Sequence, residues 1–288
     1  MLLCGLLILT LLSKSAMSEP SVQCDNDHPC IAENSWQIGI AIGLGGRTNP
    51  LVDADTIPLI IMPDIAYYAE SAYFDNGELG WQFTPSSTTS VELFVSPNIE
   101  KANFSFWHSA NLFAPASVLD SGNIIDGEPA QGPQQDQVSI DDVQSRKWAL
   151  DAGVRWQWFA QNHQFSVSVA HDVTNVYEGA HASFKYQYLT QLGDWHMSLS
   201  PHVTWHSDGL SDYYYGVRVT DTPLSELTYK ASGGFQYGFS LYSAYKIDDH
   251  WHGLVRARVT RLHSGMIESP LVEDSNVYSA FAGVAYRF

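Results

Sequence analysis

From Phe235 to Phe288 the chain alternates apolar and polar side chains with a period of two, in three successive runs. In Phe235–Ile247, residues Phe235, Tyr237, Phe239, Leu241, Tyr245 and Ile247 share one face, opposite Gln236, Gly238, Ser240, Ala244 and Lys246. Trp251–Leu262 sets Trp251, Val255 and Val259 against His252, Arg256, Arg258 and Thr260. Asn276–Phe288 sets Tyr278, Val284, Tyr286 and Phe288 against Ser279, Gly283 and Arg287. Period two belongs to extended chain, whose successive side chains point to opposite faces. Strands of this length, aromatic on one face and polar on the other, suit a barrel with lipid outside and water inside. A terminal Phe at an outward position is where outer-membrane barrels carry their assembly signal. Val284, Tyr286 and Phe288 are therefore expected to address the barrel-assembly machinery.

The composition fits such a wall. Only 16% of residues are charged, below the usual quarter of soluble domains, while 9 Trp, 15 Tyr and 13 Phe are present. No internal run approaches the roughly 20 apolar residues of a membrane helix. A mean hydropathy of -0.13 does not oppose insertion, because half of each barrel strand is polar. A net charge of -17 excludes nucleic acid as a partner, since phosphate contacts need clustered Lys and Arg. A length of 288 residues suits one large domain or two modest ones, and barrels often reach this size as one.

The N-terminus reads as an address. The apolar run Leu2–Leu12, the small-x-small site Ala16-Met17-Ser18 and then Glu19 predict a signal peptide over residues 1–18. No basic residue precedes the apolar core, Lys14 lying after it, which leaves the true start open. Cys4 precedes that core and so does not resemble a lipoprotein anchor. Residues 19–35 are expected to be a periplasmic segment in which Cys24 and Cys30 form a disulfide. A metal site from Cys24, Asp25, Asp27, His28 and Cys30 fits no standard zinc spacing.

Residues 36–288 are predicted to be an all-β, transmembrane antiparallel β-barrel of about 12 strands. Trp36–Gly45 opens the wall, with small inward residues that leave room in the lumen. Leu59–Ala69 follows, with a bulge expected at Pro63, which cannot donate to a ladder. Further strands are predicted near Gly77–Phe83, Ser90–Pro97, Lys101–Ser109, Lys147–Trp158, Gln164–Ala170, Ala180–Gln191 and Trp195–His206. Asn111–Arg146 reads as a solvated loop. Including Tyr213–Val219 gives thirteen extended segments, and bacterial single-chain barrels have an even number. Parity is restored if Tyr213–Val219 is an external loop and residues 70–77 hold one reversal, at Glu70-Ser71 or at Asp75-Asn76-Gly77. The short connections Asp248–His250, Gly193-Asp194, Ala160–Asn162 and Asn98–Glu100 then fall on the periplasmic side. The long ones at 110–146, 172–179, 207–232 and 263–275 fall outside.

Several motifs together resemble the MipA/OmpV family of outer-membrane proteins. They are Tyr214-Tyr215-Gly216-Val217 with Tyr229 and Gly233-Gly234, Gly193-Asp194-Trp195 leading into Ser198–Pro201, and His171-Asp172-Val173 with Gly179-Ala180-His181. The end is similar too, with Ser269-Pro270-Leu271-Val272 after Glu268, where the family has Asp, and Tyr286-Arg287-Phe288. The resemblance implies a barrel in the outer membrane, amid its lipid and lipopolysaccharide. One namesake member implies a non-enzymatic scaffold joining a lytic transglycosylase to a murein synthase. That role maps onto no named residue.

Chemistry beyond scaffolding has thin support. His196, His202 and His206 share an inward face, but His202 and His206 lie about 13 Å apart along a strand, too far for one ion. Arg155, Lys185, Arg256, Arg258 and Arg287 point inward beside Asp151 as a lumenal charged cluster. Such a cluster either selects anions in a small-solute or ion channel or pairs with carboxylates, and pairing is preferred. A lipid hydrolase is the third reading: His108-Ser109 sits at a strand end and other Ser and His are scattered along the chain, but no Gly-x-Ser-x-Gly elbow occurs. Acidic positions Asp120, Asp126, Glu128, Asp136, Asp141 and Asp142 read either as binders of divalent cations that bridge lipopolysaccharide or, equally well, as an ordinary solvated loop. No catalytic residue, cofactor or metal is expected.

Overall fold

In the computed structural model, which describes residues 34–113, 137–222 and 225–288, the first and last strands pair with each other. Strand β1 (Ser35–Arg47) runs antiparallel to β13 (Asn276–Arg287), from Gly39 opposite Arg287 to Arg47 opposite Ser279, and this closes a barrel. Between them lie β2 (Ile57–Pro58), β3 (Ile61–Tyr68), β4 (Ala72–Asp75), β5 (Glu78–Ser86), β6 (Thr89–Pro97) and β7 (Leu150–Ala160). They are followed by β8 (His163–Asp172), β9 (Ala180–Leu192), β10 (Trp195–His206), β11 (Gly234–Lys246) and β12 (Trp251–Arg261). Every neighbour pairs antiparallel. The two-residue β2 extends the line of β3 along β1, so the wall has twelve strands.

The period-two reading assigns the faces correctly. Trp81, Phe83, Leu93, Trp156, Val203, Phe239 and Val255 are exposed outward, while Ser90, Glu92, Ser200, Ser240 and Arg256 are buried within. Aromatic pairs gather at the end with short turns: Trp36 with Tyr67, Trp158 with Phe165, Trp195 with Tyr245, and Trp251 with Tyr286. Such a belt is what a lipid–water boundary selects.

Two strand assignments change. Lys101–Ser109 is not a strand: a 3-10 turn, η1 (Ile99–Asn103), is followed by a single helical turn, α1 (Ser109–Leu112). Pro97 lies opposite Leu150 at the long-loop end, so Asn98–Glu100 opens the long connection there and is not a periplasmic turn. Residues 70–77 hold two reversals rather than one. The chain turns after Tyr68 into β4 and again at Asn76-Gly77, whose φ values of 48° and 101° suit a type I′ hairpin. The twelve expected strands and the twelve observed thus differ by one exchange, β4 for Lys101–Ser109. Because β4 is so short, β3 above Ala66 lacks a strand on that side. The Asn76 side chain bonds the Ile65 amide there, and Ser109 of α1 sits against Gly77.

The space left by small residues in β1 is not open. A Cβ at Gly43 would stand 2.2 Å from the Ala282 carbonyl and 2.7 Å from the Phe281 ring. Phe281 packs with Ala41, Ile57, Leu59, Met62 and Leu254 as an apolar patch inside the barrel.

Candidate functional site

The long loops fold over one mouth of the barrel. Helix α2 (Asp208–Tyr215) starts at Ser207, whose hydroxyl accepts from the Leu210 amide. It delivers Leu210, Tyr214 and Tyr215 into an apolar cluster with Leu51, Val138, Val143, Tyr177, Met266, Leu271 and Val272. Tyr214 and Tyr215 are 0% exposed. Tyr213–Val219 is therefore loop structure, as parity required, but in the form of a helix and a short bridge from Val217 to Tyr229.

Polar bonds knit this cap together and tie it, through Asn103 and Arg47, to the end of β1. Ser269 Oγ donates to the Tyr215 carbonyl at 2.5 Å, and Arg146 Nη2 to the Gly216 carbonyl at 2.9 Å. Tyr215 donates its phenol to Glu100, while Asn103 donates to the Tyr215 oxygen at 2.7 Å and accepts from Arg47 at 2.6 Å. Burial raises the Glu100 carboxyl above the usual range, and burial plus the Glu100 charge raises the Tyr215 phenol further. The Asp172 carboxylate accepts from the amides of Thr174, Val176, Tyr177 and Glu178, fixing the turn 173–179.

The six residues expected to form one lumenal cluster are divided. Arg155 grips Glu78 through both Nη atoms at 2.8 Å and Glu92 at 2.7 Å, with its guanidinium over the Phe94 ring. Asp151 instead accepts from Asn98 at 2.6 Å, from Tyr177 at 2.6 Å and meets His181 at 3.0 Å, so it anchors the cap. On β12, Arg256 reaches Met62 and Arg258 reaches His202 at 3.1 Å. Lys185 stands opposite His202 on β9, and Arg287 is exposed at the short-turn end. Val284, Tyr286 and Phe288 occupy the outer face and end of β13, with the rings of Tyr286 and Phe288 5.0 Å apart. Cys24, Cys30, the signal peptide and the acidic positions from Asp120 to Asp136 lie outside the described residues. Among the described residues no group of His, Cys, Asp and Glu has metal-site geometry.

Sequence reading missed the roles of Asn98 and Glu100, which it placed in a short connection, and of Asn103, which it placed in the expected strand Lys101–Ser109. The available signal was local: Asn98 caps η1 by accepting from the Glu100 amide at 3.0 Å.

A closed antiparallel wall with apolar residues outward, polar residues inward and an aromatic belt defines a β-barrel of the outer membrane. The chain matches the family described as MltA-interacting protein MipA over residues 38–288, and it belongs to that family. Outer membrane protein Omp26La of Vibrio anguillarum is 27% identical over 171 residues, 59% of this chain and 66% of that one. That alignment spans just under two thirds of the relative. The MltA-interacting protein of Escherichia coli K12 is 23% identical over 260 residues, covering 89% of this chain and 92% of that one. Among solved structures, a bacterial polysaccharide outer membrane secretin covers 90% of this chain and all of its own, at 9% identity and a TM-score of 0.42. The family's motif residues now have places: Tyr214–Val217, Tyr229 and Ser269–Val272 build the cap, and Asp172 organises the neighbouring turn.

Proposed function

We propose that this outer-membrane barrel is a non-enzymatic scaffold for peptidoglycan-remodelling proteins, holding a lytic transglycosylase and a murein synthase at its periplasmic face. Family membership over residues 38–288 carries the reading, supported by the name of the Escherichia coli relative. The capped mouth favours it over a small-solute channel, because Tyr214, Tyr215, Met266 and Leu271 sit fully buried where a pore would open. Arg155, closed on two carboxylates, also lacks the free charge of a selectivity ring. On this reading, residues 19–35 and the short turns supply the contact surface, with Cys24 and Cys30 as a disulfide. Affinity purification from solubilised envelope is expected to recover a lytic transglycosylase, and recovery of no murein enzyme would count against the scaffold. Steady single-channel conductance in planar bilayers would instead favour the channel.

A further inference from the structure

At the long-loop rim of β11 and β12 lies a cavity of about 410 Å³, lined in part by outward-facing side chains. Its lining includes Phe235 and Tyr237, which are 66% and 55% exposed and point to the lipid side. Arg261 lines it too, directly opposite Tyr237 in the β11–β12 register, and is the last residue of its strand. A cation on the lipid side of a barrel wall is costly unless it lies at the interface and meets an anion there. Arg261 makes one side-chain bond among the described residues, to Ser275 Oγ at 3.1 Å, which leaves most of its donor fork available.

A buried polar side chain also lines the cavity. His263 lines it, is 5% exposed, and its Nδ1 has no hydrogen-bond partner among the described residues. The ring packs so closely on Gly234 that a Cβ there would stand 2.8 Å from that nitrogen. Long loops of such barrels face the cell exterior, so this rim lies at the headgroups of the outer leaflet. We propose that the cavity binds the phosphate of an outer-leaflet glycolipid, with Arg261 on the phosphate and Phe235 and Tyr237 against the sugar and first acyl carbons. Arginine suits this task because its planar fork matches a phosphate with two parallel bonds. Glu268 also lines the cavity and opposes the anion, so it sets an upper limit on affinity.

The inference rests on the outer-membrane location and not on the scaffold reading. The test is native mass spectrometry of the full chain in detergent with EDTA, titrated with diphosphorylated lipid A, its dephosphorylated form and inorganic phosphate. Wild type is expected to retain diphosphorylated lipid A at least tenfold better than the dephosphorylated form, and to ignore inorganic phosphate. Arg261→Ala is expected to lose that preference, Arg261→Lys to keep part of it, and Glu268→Gln to tighten binding. Equal retention by wild type and Arg261→Ala, or no preference for phosphate, would overturn the assignment. Transglycosylase recovery by Arg261→Ala, measured in parallel, keeps this outcome separate from that of the scaffold.

Discussion

Tyr215 and Glu100 are 115 positions apart in sequence, yet the phenol donates to the carboxylate at 2.5 Å inside the barrel mouth. The bond ties helix α2 of the cap to the 3-10 turn that follows β6. Tyr215→Phe keeps the ring packing on Phe104 and removes the hydroxyl that donates to Glu100 and accepts from Asn103. It leaves a buried carboxylate whose remaining contacts are Asn103 at 3.4 Å and His206 at 3.7 Å. The expected loss is about 1–3 kcal/mol. It should appear as a lower midpoint in heat-modifiability gels, and an unchanged midpoint would show that the cap is not held there.

Arg155 offers a cleaner energetic test. Its guanidinium meets Glu78 and Glu92 at once, and Gln157 donates to the far oxygen of Glu92 at 2.6 Å. Removing one partner of such a set strands a charge, at a cost of about 3–5 kcal/mol. Arg155→Met alone is therefore expected to destabilise the barrel more than the triple change Arg155→Met, Glu78→Gln, Glu92→Gln. Urea unfolding in detergent micelles would order the two. If the triple variant proved the weaker, the network would be a net source of stability.

The wall was legible because each strand separates lipid from water, and that demand writes period two into Trp195–His206 and Phe235–Ile247 alike. Ala72–Asp75 escaped because four residues are too few to show a period. Phe104-Ser105-Phe106-Trp107 misled in the other direction. It alternates like a strand, but Phe104 is there to pack on Tyr214, while Phe106 and Trp107 remain outside. The cap left no period at all, since its burial comes from loops satisfied by side-chain hydrogen bonds. Only the motif likeness marked Tyr214–Val217 and Ser269–Val272, and it gave them no location.

Asp172 explains one of those motifs. Its two oxygens collect four backbone amides and the Thr174 hydroxyl, an arrangement that needs a carboxylate's acceptor capacity. Asp172→Asn converts one oxygen into a donor facing amide donors. Hydrogen exchange at the Val176, Tyr177 and Glu178 amides is expected to quicken by at least tenfold, for a loss of about 1.5–3 kcal/mol. Tyr177 also donates to Asp151, so loosening should spread to the cap. Exchange confined to 173–179 would show that the turn and the cap are uncoupled.

The segment from Asn98 to Phe113 carries a pH dependence whose sign follows from His108. Its Nδ1 accepts from the Ala110 amide at 3.1 Å, which requires the neutral ring, and the ring stacks on Trp148. Burial, with the charges of Arg47 and Lys101, pushes its pKa down to about 4. Between there and the unfolded value near 6.5, the unfolded segment binds the extra proton, so stability falls as pH drops through that window. At most about 3 kcal/mol is lost. Glu100 acts oppositely: its raised carboxyl favours the folded state as pH falls. Proteolysis of the segment is therefore expected to accelerate from pH 7.5 to 4.5 in wild type. In His108→Asn, which can still cap α1, the rate should stay level or decline with acid. An equal acceleration in both proteins would move the switch away from His108.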